Sequence, residues 1–327
     1  MNKTGLVYRS PQNKRYSIET LFSPLDQDDE IEKIVLPENL NSFGNLIRII
    51  RFGVKIKPKL IHITGDVHYL AFLLFWKKSI ITIHDLNHYE ELQGIRKFIY
   101  GLIWFYLPLK AAKKIVAISP YTKEQLQKHF RIKEQKIVVI PNSFLKFETT
   151  ASDVVEKDKN NFQILCIGGN TNKNIGRLIE AIEGVEGVSV RIIGKQNPTI
   201  MDQLKSKKIN YSIVSDLSRT ELEAEYKASD VLYFASTKEG FGLPILEAQS
   251  LGIPVITSTT TAMPYVAGTG AILVDPYNIE SIRKALLLLI NKEINSDDLK
   301  EKGYKNTERF SESNFIKAYK NLYKSML

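Results

Sequence analysis

The sequence predicts an α/β protein with two doubly wound domains, each built on a parallel sheet. Short runs rich in β-branched residues alternate with helical patterns along the whole chain, and strands separated by helices indicate parallel sheets with right-handed crossovers. The length of 327 residues favours two domains of roughly 150 residues each. With 43% hydrophobic and 25% charged residues, the composition is that of a globular protein and excludes disorder or a fibrous repeat.

Six strands are predicted in each half of the chain. They are 6–8, 33–36, 60–64, 79–84, 114–118 and 136–140, followed by 163–167, 188–193, 209–214, 231–234, 253–257 and 271–274. The most loop-like segment, 142–161, separates the two sets. We therefore predict one domain at 1–145 and a second at 160–310, with a further helical pattern at 311–326.

All of the net positive charge falls in the first half. Residues 1–150 contain 23 Lys and Arg against 14 Asp and Glu, whereas residues 151–327 contain 22 of each. Such asymmetry suggests that the first domain meets an anionic partner: a phosphorylated substrate, an anionic membrane surface or a nucleic acid. The single cysteine, Cys166, cannot form an internal disulfide, as expected for a cytosolic protein.

No secretory signal or membrane span is expected. The N-terminus has no apolar stretch behind a basic start, as a signal peptide would require. The most apolar uncharged stretch, 98–109, is far shorter than the ~20 residues of a span. Basic residues flank it, so it either rests on an anionic membrane or forms a buried helix. The flanking residues are Arg96, Lys97, Lys110, Lys113 and Lys114.

The strongest candidate site is the segment 236–247, directly after the predicted strand 231–234. Gly240 and Gly242 allow close approach of a ligand to the backbone, and a helix N-terminus follows them, which favours a phosphate or a sugar oxygen. Glu247 is suited to accept hydrogen bonds from a vicinal diol such as a ribose, and Glu239 from neutral sugar hydroxyls. The alternative is an ordinary helix start with two surface glutamates.

Two further strand ends carry candidate residues. Gly168 and Gly169 follow strand 163–167, and Lys173 lies a few residues later at the start of a helix. This arrangement is typical of anion-binding loops. The alternative is a solvated lysine in an ordinary turn. His84 follows strand 79–83, with Asp85 beside it to hold the ring.

Metal binding is the weaker interpretation of the remaining polar clusters. Four of the five histidines, including His84 and His88, lie within 27 residues, but a zinc site would need a helix and further ligands; a structural role is favoured for His62. Asp26 and Asp28 resemble the acid pair of some metal-dependent sugar transferases, although an exposed acidic loop is favoured. We therefore predict no metal.

The segments 239–248, 252–256 and 270–276 resemble the retaining glycosyltransferases of family 4, which have the GT-B fold. Residues 118–119, 139–142 and 230–236 also fit, and the resemblance covers nearly all of residues 60–327. It implies two Rossmann-like domains facing across a cleft. It also implies that the C-terminal helix, 311–327, packs back on the N-terminal, acceptor-side domain.

The resemblance assigns roles to the candidate residues. It implies that Glu247 binds the nucleotide ribose, that Lys173 binds the diphosphate and that His84 approaches the transferred sugar. Glu239 would hold the donor sugar, and the remaining donor-binding positions are Gly169, Asn170, Gly240, Phe241, Gly242 and Leu243.

Two departures from the family pattern stand out. Asn170 occupies the position of the family's usual diphosphate arginine, so one cation is missing or relocated. The glycine-rich turn usual after the first strand is replaced by 10–17, where Lys14 and Arg15 are candidate substitutes. Together with His68, these two residues are candidate phosphate or acceptor contacts.

The predicted function is a retaining, metal-independent hexosyltransferase (EC 2.4) without a cofactor. It would move a sugar from a nucleotide-diphosphate sugar to a glycan or lipid-linked acceptor in polysaccharide biosynthesis, in the cytoplasm and peripherally at the inner face of the membrane. One alternative is a nucleotide-sugar epimerase of the same fold. The other is a basic nucleic-acid-binding protein, which is disfavoured because the first half has no recognised binding motif and its charge is spread over many elements.

Overall fold

The computed structural model describes residues 3–10, 17–38, 43–147 and 161–327. In these residues the chain forms two parallel sheets of six strands each, which confirms the predicted fold class. Each observed strand lies within two residues of its predicted ends. The chain divides into two compact units: residues 1–143 together with 310–327, and residues 144–309.

The first unit has the strand order β2-β1-β3-β4-β5-β6. Its strands are β1 Thr4–Tyr8, β2 Ile31–Val35, β3 Leu60–Ile63, β4 Lys78–Ile83, β5 Lys114–Ala117 and β6 Ile137–Val139. Its helices are α1 Ser17–Phe22, α2 Phe43–Lys55, α3 Tyr69–Leu73, α4 Asn87–Glu91, α5 Gly94–Tyr100, α6 Leu107–Ala111, α7 Pro120–Phe130 and α15 Glu312–Met326. Short 3-10 helices span Ser23–Gln27 and Glu134–Lys136. The strands are near-continuous runs of apolar residues because helices cover both faces of the sheet.

The C-terminal helix α15 covers one face of the first sheet. It begins where the Ser311 side chain accepts a hydrogen bond from the backbone amide of Asn314, a standard N-cap. Phe315, Tyr319 and Tyr323 are buried against the sheet together with Phe22. The C-terminal residues are therefore part of the core of the first unit.

A buried polar network fixes this helix to the sheet. The His62 ring on β3 bonds the Tyr323 hydroxyl through Nδ1 at 2.6 Å and the Thr82 hydroxyl through Nε2 at 2.7 Å. Thr82 in turn bonds the Tyr319 hydroxyl at 3.0 Å. Burial lowers the pKa of His62 to about 3, so the ring is neutral. Each ring nitrogen has a partner, as a buried polar group requires, and His62 has the structural role favoured from the sequence.

The second unit has the strand order β12-β11-β10-β7-β8-β9. Its strands are β7 Phe162–Ile167, β8 Val188–Ile193, β9 Asn210–Val214, β10 Val231–Phe234, β11 Val255–Ser258 and β12 Ile272–Val274. Its helices are α8 Ile175–Ala181, α9 Pro198–Ser206, α10 Arg219–Ala228, α11 Leu243–Ser250, α12 Met263–Ala267, α13 Ile279–Ile290 and α14 Ser296–Thr307. A 3-10 turn, Thr171–Lys173, precedes α8, and another, Glu308–Phe310, precedes α15.

The apolar stretch around 98–109 is neither wholly buried nor wholly exposed. A π-helical segment, Gly101–Tyr106, joins α5 to α6 into one longer helix. Phe105 and Leu109 are buried in the core, whereas Ile95 and Phe98 are 69% and 66% exposed. Among the described residues no helix is both long and apolar enough to span a membrane.

We expect Tyr323→Phe to destabilise the protein. The substitution leaves the aromatic ring in place but removes the hydroxyl bonded to His62, and an unsatisfied buried polar group costs about 1–3 kcal/mol. Thermal unfolding followed by circular dichroism should show a lower transition temperature. Tyr106→Phe in the same unit is the matched control, since the Tyr106 hydroxyl has no partner among the described residues. An unchanged transition in the Tyr323 variant would contradict the role of the network.

Candidate functional site

In the second unit the candidate residues lie on loops that follow adjacent strands. Strands β10, β7 and β8 are neighbours in the sheet and run parallel, so the loops at 235–242, 168–174 and 194–197 meet at one edge. Ligand sites of open α/β sheets form at this carboxyl edge. The chemistry of the unit is therefore found in three adjacent loops.

Lys173 and Glu239 form an ion pair between two of these loops. The distance from Nζ to Oε1 is 2.5 Å, and the side chains are only 19% and 16% exposed. The Lys173 ammonium also lies 4.6 Å from the ring centroid of Phe234. Asn172, a residue without a sequence signal of its own, donates to the same Glu239 oxygen at 3.2 Å. Lys173 is thus a partly buried, paired cation, not a solvated lysine in a turn.

Asn174 holds the loop after β7 in place. It is buried, has a left-handed backbone (φ 61°), and its side-chain amide donates to the carbonyls of Ala235 at 3.1 Å and Pro276 at 2.7 Å. These bonds tie the loop to the segments that follow β10 and β12. The only sequence signal for Asn174 is its residue type, since Asn tolerates this backbone conformation better than most residues.

The two glycines of this loop allow close backbone packing. A Cβ atom on Gly168 (φ 92°) would lie 2.8 Å from the Lys173 side chain. A Cβ on Gly169 would lie 2.4 Å from the Lys195 carbonyl oxygen, and Asn197 donates to the Gly169 carbonyl at 2.9 Å. The loop after β8 is therefore packed directly against the glycine pair.

The position of Asn170 lacks a cation, and a neighbouring loop supplies one. Asn170 is exposed and precedes the short 3-10 turn without a side-chain capping bond. Lys195 is exposed beside Gly169. Among the described residues its ammonium group has no ionic partner.

Glu247 lies on α11, beyond the glycine loop. Gly242, with φ 120°, precedes the helix, and Gly240, Phe241 and Gly242 are buried, whereas Leu243 is partly exposed. Burial raises the pKa of Glu247, while the Tyr226 hydroxyl and the Arg219 charge oppose that shift. Tyr226 donates to Oε2 at 2.8 Å; the other oxygen has no hydrogen-bond partner among the described residues. Glu247 is therefore not an ordinary surface glutamate, and its partner Tyr226, 21 residues earlier in the chain, carries no signal in the sequence.

In the first unit a cleft of about 540 Å³ lies where β3 and β4 end. His84 is at its edge, and its Nε2 donates to the Thr64 carbonyl at 2.7 Å. Phe22 packs edge-on against the ring, with centroids 6.2 Å apart. Burial lowers the pKa of His84, so the ring is neutral at pH 7. Because a carbonyl only accepts, the proton is on Nε2 and Nδ1 is left as an acceptor.

The other candidate contacts of the first unit have different environments. His68 lines the same cleft, but the residue is only 5% exposed. Its Nδ1 donates to the Trp104 carbonyl at 3.2 Å, and burial lowers its pKa to about 4. It is therefore neutral and offers no positive charge to a phosphate. Lys14 and Arg15 lie outside the described residues.

The prediction of an exposed acidic loop at Asp26 and Asp28 is wrong for both side chains, which are each only 14% exposed. Asp26 accepts from the Tyr8 hydroxyl at 2.8 Å and pairs with Lys33 at 2.6 Å. Asp28 pairs with Lys320 on α15. Within the described part of the chain, no group of three or more His, Cys, Asp or Glu residues is arranged to hold a metal ion.

Two family models match the chain. The model for glycosyl transferases group 1 matches residues 147–306, and the model for glycosyltransferase family 4 matches residues 21–144. The two matches do not overlap, and together they cover most of the sequence.

Individual relatives and structures agree with the family models. The O-antigen chain mannosyltransferase RfbU of Salmonella typhimurium (strain LT2) is 27% identical over 73% of this chain and 66% of its own length, just under two thirds. The capsular polysaccharide biosynthesis glycosyltransferase CapM of Staphylococcus aureus is 26% identical over 92% of this chain and 86% of its own.

Among solved structures, Anabaena Alr3699/HepE in complex with UDP-glucose matches with a TM-score of 0.81 at 14% identity, over 98% of this chain and 99% of that one. At this identity the match establishes the fold alone. The chain therefore belongs to the glycosyltransferases of family 4 and has their GT-B fold.

Proposed function

We propose that this glycosyltransferase moves a sugar from a nucleotide-diphosphate sugar to a glycan or lipid-linked acceptor during the synthesis of a cell-surface polysaccharide. The observation that carries the proposal is that the second unit combines the Lys173–Glu239 ion pair with the partly buried Glu247, which has one oxygen held by Tyr226. The relatives support the pathway, since one is named for O-antigen and another for capsular polysaccharide. The structure of HepE with UDP-glucose supports the type of donor.

In this proposal the donor binds along the three loops of the second unit. The unpaired oxygen of Glu247 accepts hydrogen bonds from the ribose hydroxyls, while Tyr226 holds the other oxygen. Lys173 binds the diphosphate. Glu239 and the backbone amides of 240–243 bind hydroxyls of the donor sugar, because a carboxylate repels phosphate but accepts from neutral hydroxyls.

A second cation is needed because Glu239 already neutralises part of the Lys173 charge. A diphosphate carries more negative charge than one paired ammonium group offsets. Lys195 satisfies the requirement: its backbone is packed against Gly169, in the loop where the family's usual arginine is replaced by Asn170. We assign Lys195 as the relocated diphosphate cation.

The reaction needs no general base opposite the donor. The bond from the sugar anomeric carbon to the diphosphate oxygen breaks, a bond to the acceptor hydroxyl oxygen forms on the same face, and the hydroxyl proton passes to the leaving diphosphate. Retention of configuration follows from attack on that face. Lys173, Lys195 and the backbone amides at the start of α11 stabilise the charge that develops on the leaving group.

His84 contributes from the first unit as a neutral hydrogen-bonding group. Its Nδ1 is an acceptor suited to a hydroxyl of the transferred sugar, because Nε2 is committed to the Thr64 carbonyl. Its lowered pKa favours the unprotonated form of this acceptor at neutral pH.

Neither alternative interpretation is supported. The family models and the named relatives are glycosyltransferases, and none is an epimerase or a nucleic-acid-binding protein. In this proposal the positive charge of the first unit serves to dock the protein on an anionic membrane from the cytoplasmic side.

The proposed docking surface is the exposed side of the helix formed by α5, the π-helical segment and α6. Ile95, Phe98 and Ile99 are exposed apolar residues near its N-terminal end. Lys110 lies on α6 with its ammonium 4.8 Å from the Tyr106 ring centroid, and Lys113 and Lys114 follow. An amphipathic helix with apolar and basic residues is suited to the surface of an anionic bilayer.

Two substitutions test the donor site. Glu247→Ala should weaken binding of both UDP and UMP about 10- to 100-fold, because a hydrogen bond to a charged group contributes about 1.5–3 kcal/mol. Lys195→Gln should weaken UDP more than UMP, since it acts on the diphosphate. Isothermal titration, repeated with GDP and GMP, measures both effects.

Glu180→Ala and Lys205→Gln are matched controls on exposed positions of the same unit. Affinities equal to those of the unaltered protein would remove Glu247 or Lys195 from the donor site.

Turnover should survive an excess of EDTA, because ammonium groups and backbone amides supply the positive charge that a metal would otherwise provide. The measurement is release of the nucleoside diphosphate from UDP-glucose or GDP-mannose, with and without EDTA and with added magnesium or manganese. Loss of turnover in EDTA that manganese restores would contradict a metal-independent mechanism.

The protein should co-sediment with vesicles containing phosphatidylglycerol but not with pure phosphatidylcholine vesicles, and binding should fall as salt rises. Neutralising Lys110, Lys113 and Lys114 together should weaken binding about 100-fold, at about 1 kcal/mol for each lysine. Phe98→Ser should weaken it further through lost apolar burial. Leu273→Ser, an exposed apolar position of the second unit, is the control, and equal recovery with both kinds of vesicle would refute the docking surface.

A further inference from the structure

The cleft of the first unit is acidic, although this unit belongs to the basic half of the chain. Its described lining includes two carboxylates, Asp66 and Asp85, and no lysine or arginine. Of the three histidines in this lining, the buried His68 and the partly exposed His84 have pKa values lowered by burial, which favours their neutral forms. The two carboxylates therefore make the described lining acidic.

Both carboxylates retain free hydrogen-bonding capacity. Asp66 is mostly exposed, and its ionic partner among the described residues is Arg9 at a long 3.5 Å. Arg9 makes the shorter contact, 3.1 Å, with Glu19. Asp85 uses one oxygen to accept from the Asn87 amide at 2.9 Å. Its other oxygen has no hydrogen-bond partner among the described residues.

A protonated phenol adds a donor to the same cleft. Burial and the charges of Asp66 and Asp85 raise the pKa of Tyr100 to about 12, so its hydroxyl remains protonated. Together with the acceptor Nδ1 of His84, the lining combines carboxylate and imidazole acceptors with a hydroxyl group. This set complements hydroxyl groups, which both donate and accept, and no lysine or arginine lies among the described lining residues.

Resting on the proposed function, we propose that this cleft takes a neutral sugar of the acceptor and that Asp66 and Asp85 are specificity-determining residues which exclude uronic acids and phosphorylated sugars. The carboxylates accept hydrogen bonds from the sugar hydroxyls and repel a negatively charged substituent. The positive charge of the first unit then serves a partner outside the cleft, and the sugar that accepts the new linkage is itself uncharged.

Trp104 provides a readout that needs neither donor nor turnover. Its indole nitrogen donates to the Asp66 carbonyl at 3.2 Å, and its ring stacks on Tyr100 with centroids 5.1 Å apart. The chain has two tryptophans, so Trp76→Phe leaves Trp104 as the sole tryptophan, whose fluorescence is excited selectively over that of tyrosine. In this background the protein is titrated with the methyl glycosides of mannose, glucose and galactose, and with methyl glucuronide.

At least one neutral glycoside should give a saturating fluorescence change, and methyl glucuronide should bind at least 10-fold more weakly than methyl glucoside. The Asp66→Asn/Asp85→Asn protein should bind the neutral glycoside about 10-fold more weakly, since it loses charge-assisted hydrogen bonds, and should discriminate less against the glucuronide. Asn at position 85 retains an oxygen to accept from Asn87, so the local turn is preserved. Glu124→Gln, an exposed position of the same unit, is the matched control, and thermal unfolding verifies that each variant is folded.

Three results would overturn the proposal. They are glucuronide binding as tight as that of the glucoside, unchanged neutral-glycoside affinity in the double variant, and no saturating change with any neutral glycoside up to its solubility limit.

Hydrolysis of UDP-glucose and GDP-mannose, measured in parallel, separates this proposal from the proposed function. The Glu124→Gln control should hydrolyse the donor at the rate of the unaltered protein. If no donor is turned over by any protein, the transferase proposal fails while the binding result for the cleft stands.

Discussion

The burial of both faces of each sheet is the constraint on which the rest of the structure depends. A strand enclosed by helices on both sides has room for apolar side chains, and a polar group inside must find every partner locally. His62 meets this requirement through Tyr323 and Thr82. Polar groups available to a ligand are thus confined to the loops where strands end, which is where both clusters of candidate residues lie.

The predictable part of the molecule is the part determined by local sequence. β-branched runs bounded by turns predict all twelve strands, and the order of Gly, Pro and Glu in 239–247 predicts a candidate ligand-binding segment. The unpredicted part depends on contacts between distant segments. Asn174 is significant only because Ala235 and Pro276 come within reach of its amide. Asp26 was misjudged for the same reason, since its acidic neighbours suggested exposure whereas Tyr8 and Lys33 bury it.

Burial also determines the charge state of the histidines, and so changes what the histidine-rich segment can do. A cluster of four histidines suggests a metal site or a pH-sensitive cation when only the sequence is considered. In the fold, His62, His68 and His84 all have lowered pKa values because their rings are removed from water. They act as neutral hydrogen-bonding groups, two in holding the fold together and His84 with one nitrogen left for a ligand.

The candidate residues of the two units differ in charge. In the second unit the cation Lys173 is already paired with Glu239, so its ammonium group is held in place before any ligand binds. Such a preorganised group needs little rearrangement when negative charge develops nearby. In the first unit the cleft is lined by carboxylates and neutral rings, which suits an uncharged nucleophile. In the proposed transfer this asymmetry has a chemical reason, because the departing diphosphate is the anion to be stabilised and the acceptor hydroxyl is uncharged.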